Sequence, residues 1–252
     1  MKLSIVATLF QSAPYINEFH SRASAIAKQL AGNDYEIILV NDGSPDSSLD
    51  IAIKLTEQDS HLVVVDLSRN FGHHKAMMTG LAHSKGERVF LIDSDLEEEP
   101  EWLEAFTQQM DLQISDVIYG VQELRKGSWF ERWSGQWFYL FFKTFTGITL
   151  PQNVVTARLM TRRYVNALLS HEEREVFMAG LWHITGFEQH PHMITKHCTS
   201  ETTYTFQKKM SLLVNSVTSF SNAPLVSIFY IGASISLFAL AYILYLVAHW
   251  LF

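Results

Sequence analysis

The chain has 252 residues, of which 48% are apolar and 18% charged, enough to bury the core of one α/β domain of ordinary size. Its formal net charge of −7 argues against a nucleic-acid partner, whose binding needs a basic surface. The single Cys198 excludes an internal disulfide and suits a reducing compartment.

The apolar run Leu3 to Phe10 is too short for a membrane span and lacks a basic leader with a cleavage site, so it predicts a first strand and a polar bulk that stays in the cytoplasm. Phe19 to Leu30 reads as helix. Tyr35 to Val40 (YEIILV) reads as a buried strand. It runs into NDGSPDSS, a cluster of turn and N-cap residues, and Leu49 to Gln58 is again helical. His61 to Leu67 is the next strand, Lys75 to His83 a helix, and Arg88 to Ile92 (RVFLI) a fourth strand that ends at DSDLEEEPE. Glu101 to Met110 is helical, with Pro100 near its start, and Asp116 to Gly120 is a fifth strand. Strands alternating with helices predict a mostly parallel sheet covered on both faces, with ligands at the carboxyl ends of its strands. The two acidic turns, at Asp42 and at Asp93 to Glu97, each follow an apolar strand directly, so both belong to that edge.

Trp129 to Phe145 is dense in aromatic residues but too short and polar to span, and it suits a helix lying at a membrane surface. From Ala223 to Phe252 there is no Asp, Glu, Lys or Arg. That stretch exceeds the ~20 residues needed to cross a bilayer. The expected organisation is a catalytic domain over 1–206, a juxtamembrane amphipathic helix over 207–224 and a transmembrane helix over 225–252.

Four groups of residues carry chemistry. Asp93 and Asp95, with Glu97, can present carboxylates to one hard cation, and Mg²⁺ or Mn²⁺ takes such oxygens together with substrate phosphate. Glu98, Glu99 and Glu101 read as solvated charge at a helix N-terminus. Asp42, Gly43 and Ser44 can meet a base or ribose hydroxyl. Arg69, Gly72 and Lys75 suit a nucleotide phosphate, with Gly72 permitting close backbone approach. The adjacent His73 and His74 do not have zinc spacing. Arg158, Arg162 and Arg163 follow Thr156, and an arginine suits phosphate geometry.

VNDGSPDSS, LSRNFGHHKAMMTGLAHSKGERVFLIDSDLEEEPE, ARLMTRR and SVTSFSNAPL together resemble family 2 glycosyltransferases, in the branch that glycosylates polyprenyl phosphates. The resemblance covers almost the whole chain. It implies a GT-A fold, inversion at the anomeric carbon and a UDP-sugar as favoured donor. It assigns Asp42 to the nucleotide, Asp93 to the donor and metal, Asp95 and Glu97 to the metal, and Arg158 to a donor or acceptor phosphate. Arg162 and Lys196 are further candidates for the acceptor phosphate. Relatives commonly have Gln at Glu97, often Asp at Thr156, and usually two membrane helices, whereas the sequence stops at Phe252 inside or just after the first, as a truncated product or a natural single-pass form. The implied acceptor is polyprenyl phosphate, undecaprenyl phosphate in a bacterium, at the cytoplasmic face of the inner membrane. The alternatives are transfer to a hydroxyl of a lipid-linked glycan, with Glu172, Glu173 or Glu175 as base, and an inactive nucleotide-binding paralogue. A homo-oligomer is left open.

Overall fold

The computed structural model describes residues 1–122, 137, 140–171, 177–195, 214, 217, 218 and 220–251. Lys196, the glutamates at 172, 173 and 175, most of the aromatic segment 129–145 and most of 207–224 lie outside the described residues. The chain forms two compact units, Met1–Gly127 with Pro151–Thr203, and Ser128–Leu150 with Tyr204–Phe252.

The first unit is built on a seven-stranded sheet. Its strands are β1 (Leu3–Leu9), β2 (Tyr35–Asn41), β3 (Leu62–Asp66), β4 (Arg88–Asp93), β5 (Val117–Gln122), β6 (Val154–Thr161) and β7 (Gln189–Ile194). They lie in the order β3-β2-β1-β4-β6-β5-β7, and only β6 runs against the others. Helices α1 (Ile16–Ala31), α2 (Ser48–Thr56), α3 (His73–His83) and α4 (Trp102–Gln113) connect the first five strands. Helices α5 (Arg162–Leu169) and α6 (Met178–Ile184) lie between β6 and β7.

Every residue of β1 and β2 is buried, which is why both read as unbroken apolar runs rather than alternating ones. On one face Ile5, Ala7, Leu9, Phe90 and Ile92 pack with Phe19, Ile26, Leu103 and Phe106. The Phe106 ring meets Phe90 edge-on at 5.9 Å. On the other face Gly80 brings α3 down on Val6 and Val40, where an added Cβ would lie 2.4 Å from Val6 Cγ1. The expected helices and strands up to residue 122 are all present, with ends that differ by a few residues.

β6, β7, α5 and α6 were not anticipated. β6 is buried on both faces from Ala157 to Met160, with Ala157 and Leu159 in the core cluster. The charged Arg158 inside that run hides it as a strand.

The amino-terminal end of the sheet is closed by polar contacts. Glu36 is buried and accepts from Ser4 Oγ at 2.6 Å and from the Lys85 amide at 2.7 Å. Gly86 donates its N–H to Ser4 Oγ at 2.7 Å. Asp116 pairs with Arg163, whose guanidinium hydrogen bond outweighs burial and holds the carboxyl below the usual carboxylate range.

The described residues of the second unit include helical stretches over 140–146 and 223–251. Phe142 is buried and lies 6.2 Å from Phe220, while Leu140 and Phe141 are exposed. Helix α7 (Ala223–Leu251) has 29 residues and a mean hydropathy of 2.1 over its most apolar window, none of it buried. At 1.5 Å per residue it measures roughly 43 Å, more than the ~30 Å of a hydrocarbon core. It is thus long and apolar enough to cross a membrane.

The closest backbone approach on the sheet gives a stability test. A Cβ on Gly86 would lie 2.5 Å from Ser4 N and 2.7 Å from Arg88 O, and neither atom can move without shifting a strand. Gly86→Ala is expected to cost about 1–3 kcal/mol and to lower the thermal midpoint by roughly 3–10 °C, followed by circular dichroism in detergent.

Candidate active site

Strand order reverses on either side of β1. β2 continues the chain to one side, β4 lies on the other, and the crevice of a doubly wound sheet opens at that point. The register brings the two acidic turns to it. Thr8 of β1 pairs with Val40 and with Asp93, and Leu9 pairs with Asn41, the residue before Asp42. Asp42 and Asp93 therefore stand at the same edge, one strand apart on either side of β1. With neighbouring strands ~4.8 Å apart, their backbones are on the order of 10 Å from each other.

Side-chain hydrogen bonds hold the loops of this edge together. Asp42 is buried, and its carboxylate accepts from the amides of Phe71 at 2.7 Å and Gly72 at 3.1 Å. Gly43 has φ of +60°, and an added Cβ there would lie 2.4 Å from Asn70 N, so the turn after β2 sits directly on the loop before α3. Ser44 Oγ donates to Asp46 at 2.5 Å and accepts from the Gln11 amide at 2.7 Å. Asp46 also accepts from Ser48 Oγ and the Ala13 amide. Burial pushes the Asp46 carboxyl up, but those donors prevail and hold it down at about 2. Asp42, Gly43 and Ser44 thus shape the crevice through contacts within the protein. Arg69 is exposed, with its guanidinium 4.1 Å from the centre of the Phe71 ring, and Lys75 lies in the first turn of α3.

The turn after β4 is equally built in. Ser94 is buried and donates to the Thr8 carbonyl at 2.7 Å. Asp95 Oδ1 accepts from the Glu97 amide at 3.0 Å, and Leu96 between them has φ of 60°. That left-handed residue breaks the simple alternation that would line up Asp93, Asp95 and Glu97. Among the described residues no three carboxylates or imidazoles are grouped so as to hold a cation. The donor set fits Mg²⁺ or Mn²⁺ in the manner usual for substrate-linked sites, with one or two carboxylates completed by phosphate and water. The expected triad with Glu97 is not preassembled.

Glu98 departs from the solvated reading. It is 1% exposed and accepts from the Thr156 amide at 3.0 Å and, at 3.5 Å, from the Asp93 amide. It ties the acidic turn to β6. Glu101 is exposed and pairs with Arg22 at 2.6 Å, as a surface charge should.

The arginines separate. Arg158 pairs with Leu91, two residues before Asp93, and is 1% exposed. Its Nε donates to the Thr156 carbonyl at 3.3 Å, its guanidinium lies over the Trp182 ring of α6, and its Nη2 has no hydrogen-bond partner. Burial pulls its pKa down to about 9, against the pull of Tyr164, Glu98 and Tyr119, so it stays cationic at neutral pH. The same burial drives the Tyr164 hydroxyl up to about 12.

Arg162, expected near an acceptor phosphate, is elsewhere. It donates to the Gly86 carbonyl at 2.6 Å and to Ser84 Oγ at 3.2 Å, at the amino-terminal end of β4. Five residue steps of strand, roughly 16 Å, separate that end from Asp93. The cause is β6 itself. Antiparallel pairing carries the chain away from the crevice, so Thr161 stands opposite Arg88.

His73 is the residue that sequence spacing passed over. Its Nδ1 lies 3.0 Å from Thr8 Oγ1, and its Nε2 lies 3.3 Å from Asp93 Oδ1. Burial lowers its pKa, but the hydrogen bond and charge of Asp93, with Asp42 and Asp95 adding, leave it above the ordinary histidine value. A polar residue at the N-terminus of a helix that follows a glycine was the available signal.

Residues 4–170 match the model of glycosyl transferase family 2. The chain belongs to that family. A glycosyltransferase of Mycobacterium tuberculosis is 50% identical over 235 residues, which cover 93% of this chain and 68% of that protein. The undecaprenyl-phosphate 4-deoxy-4-formamido-L-arabinose transferase of Pseudomonas fluorescens is 32% identical over 96% of this chain and 72% of its own. Among solved structures, glucosyl-3-phosphoglycerate synthase from Mycobacterium tuberculosis in complex with UDP aligns with a TM-score of 0.55 at 15% identity, over 86% of this chain and 79% of that one. S. aureus TarS 1-349 in complex with UDP-GlcNAc aligns with a TM-score of 0.52 at 18% identity, over 86% and 66%. These likenesses establish the expected GT-A architecture for this family 2 chain.

The Asp42 clamp can be tested without turnover. Asp42→Ala leaves the Phe71 and Gly72 amides without their acceptor, at a cost of about 1–3 kcal/mol. The expected result is a thermal midpoint lowered by several degrees together with weaker UDP binding by calorimetry. A wild-type midpoint would show that the loop holds its place without the carboxylate.

Proposed function

We propose that this family 2 glycosyltransferase moves a sugar from a nucleotide-diphosphate donor, a UDP-sugar in the favoured case, to polyprenyl phosphate at the cytoplasmic face of a membrane. The observation that carries the reading is the common crevice at the end of β1, reached by the Asp42 turn from one side and the Asp93–Asp95 turn from the other.

In this reading the nucleoside diphosphate lies along that crevice. Asp93 and Asp95, with Glu97, would hold Mg²⁺ or Mn²⁺. The cation would offset the negative charge that grows on the departing diphosphate. The loop from Arg69 to Gly72, its Phe71 and Gly72 amides taken up by Asp42, offers the Arg69 guanidinium on the nucleotide side. Lys75 faces the same task from the first turn of α3. Arg158 adds a buried positive charge behind the acidic turn, which tempers the repulsion between its carboxylates and the phosphates.

The acceptor needs little help from the protein. A phosphate monoester has its second pKa near ~6 and is largely ionised at neutral pH. One of its oxygens can attack the anomeric carbon directly. The new carbon–oxygen bond forms as the bond to the nucleoside diphosphate breaks, with inversion. This agrees with Thr156 at a place where relatives often carry Asp, since no general base is required. The family relatives named as undecaprenyl-phosphate transferases, at 30–32% identity, support the acceptor. Helix α7 supports a membrane location, where a lipid phosphate is presented at the surface.

Two experiments test the reading. Asp95→Ala is expected to reduce transfer from UDP-sugars to undecaprenyl phosphate by at least about 100-fold, with an unchanged circular dichroism spectrum, and EDTA should do the same to the wild type until Mn²⁺ is restored. Near-normal transfer by the variant would contradict the metal role. Deleting 223–252 should release the protein from sedimented membranes, and full retention would assign the anchor to another segment.

A further inference from the structure

We propose that His73 is a positioning residue that links the two acidic turns and fixes the orientation of the Asp93 carboxylate, an inference that rests on the metal-assisted reading above.

The linkage runs through three steps. Asp42 grips the amides of Phe71 and Gly72, which sets the start of α3. The amides of Lys75 and Ala76 donate back to the Gly72 carbonyl, at 3.0 and 3.1 Å, so the first turn is closed on that anchor. Gly72 has φ of +99°, a conformation that aims the next residue across β1 rather than along α3. His73 then spans from Thr8 Oγ1 at 3.0 Å to Asp93 Oδ1 at 3.3 Å.

Thr8 makes this arrangement robust. It is 8% exposed and central to the sheet, between Val40 and Asp93. Its hydroxyl can donate or accept, so it satisfies Nδ1 in either protonation state of the ring. When Thr8 donates to Nδ1, or when the ring is cationic, Nε2 carries a proton that faces Asp93. The Thr8 carbonyl meanwhile accepts from Ser94 Oγ, so one residue of β1 steadies both the imidazole and the turn it addresses. The imidazole is about half exposed and meets one oxygen of Asp93 at ion-pair distance, which biases the orientation of that carboxylate, and the orientation of a metal-binding carboxylate governs how well it binds.

The test uses the full chain in detergent. Binding of Mn²⁺ in the presence of UDP or GDP is followed by the electron paramagnetic resonance of the free ion, alongside thermal midpoints and donor kinetics. His73→Ala is expected to weaken Mn²⁺ binding about 10–100-fold and to lower kcat more than it raises KM for the donor. His73→Gln, whose amide N–H can still reach Asp93, should recover most of the loss. Thr8→Val, close in shape but lacking the hydroxyl, should weaken Mn²⁺ binding to an intermediate degree, and it carries the test if the alanine variant does not fold. Wild-type Mn²⁺ affinity in either His73→Ala or Thr8→Val overturns the proposal, as does a glutamine variant no better than alanine. If the wild-type protein itself binds no Mn²⁺ with nucleotide, the proposal falls together with the reading beneath it, whereas binding that is unchanged by the substitutions defeats the positioning role alone.

Discussion

The carboxyl end of β1 is the point on which the crevice depends. β1 is buried along its whole length, so its backbone can pair only with strands on either side, and β2 and β4 take those places in parallel. Parallel pairing with continuous register carries each following turn to the same edge. Asp42 and Asp93 are 51 positions apart in the chain, and they meet because one strand is shared between their own. No local interaction could bring them together, and the hydrogen bonds that hold each turn reach to segments far away in the chain, such as Phe71 and Gly72 for Asp42 and Thr8 for Ser94.

The crevice is then made stiff by polar side chains that bond to the protein itself. Asp42 spends its carboxylate on two amides, Ser44 and Asp46 close the second turn, and Glu98 joins the fourth strand's turn to β6. Such residues make the floor and walls on which a ligand-bearing group can be held to a fraction of an ångström. The acidic character of the edge follows from the same economy. Carboxylates accept several backbone donors at once, so loops that must be pinned without bulk recruit Asp and Glu.

Arg158 shows a different constraint. A guanidinium buried under an aromatic ring without a carboxylate on its Nη2 is costly, because desolvation is incompletely repaid. Its position behind an acidic turn places Glu98, together with Tyr164 and Tyr119, in its field. Arg162 and Arg163, one and two residues past the end of the same strand, serve only the far end of the sheet, where they bond Gly86, Ser84 and Asp116.

The sequence alone determined the parallel half of the sheet, the apolar helix near the carboxyl end, and the two acidic turns with the chemistry they offer. These are local properties: unbroken runs such as YEIILV and RVFLI, dense turn residues, and a stretch without charge. The tertiary structure decided what pairing decides. It placed β6 antiparallel beside β4, which sent Arg162 away from the crevice, buried Arg158, and buried Glu98, which read as solvated charge. It brought His73 to Asp93 across β1, a contact between residues 20 apart that no spacing rule anticipates. Composition and periodicity report which face of an element is buried, but the identity of the neighbour across that face is set by strand order, and strand order is not written in any one segment.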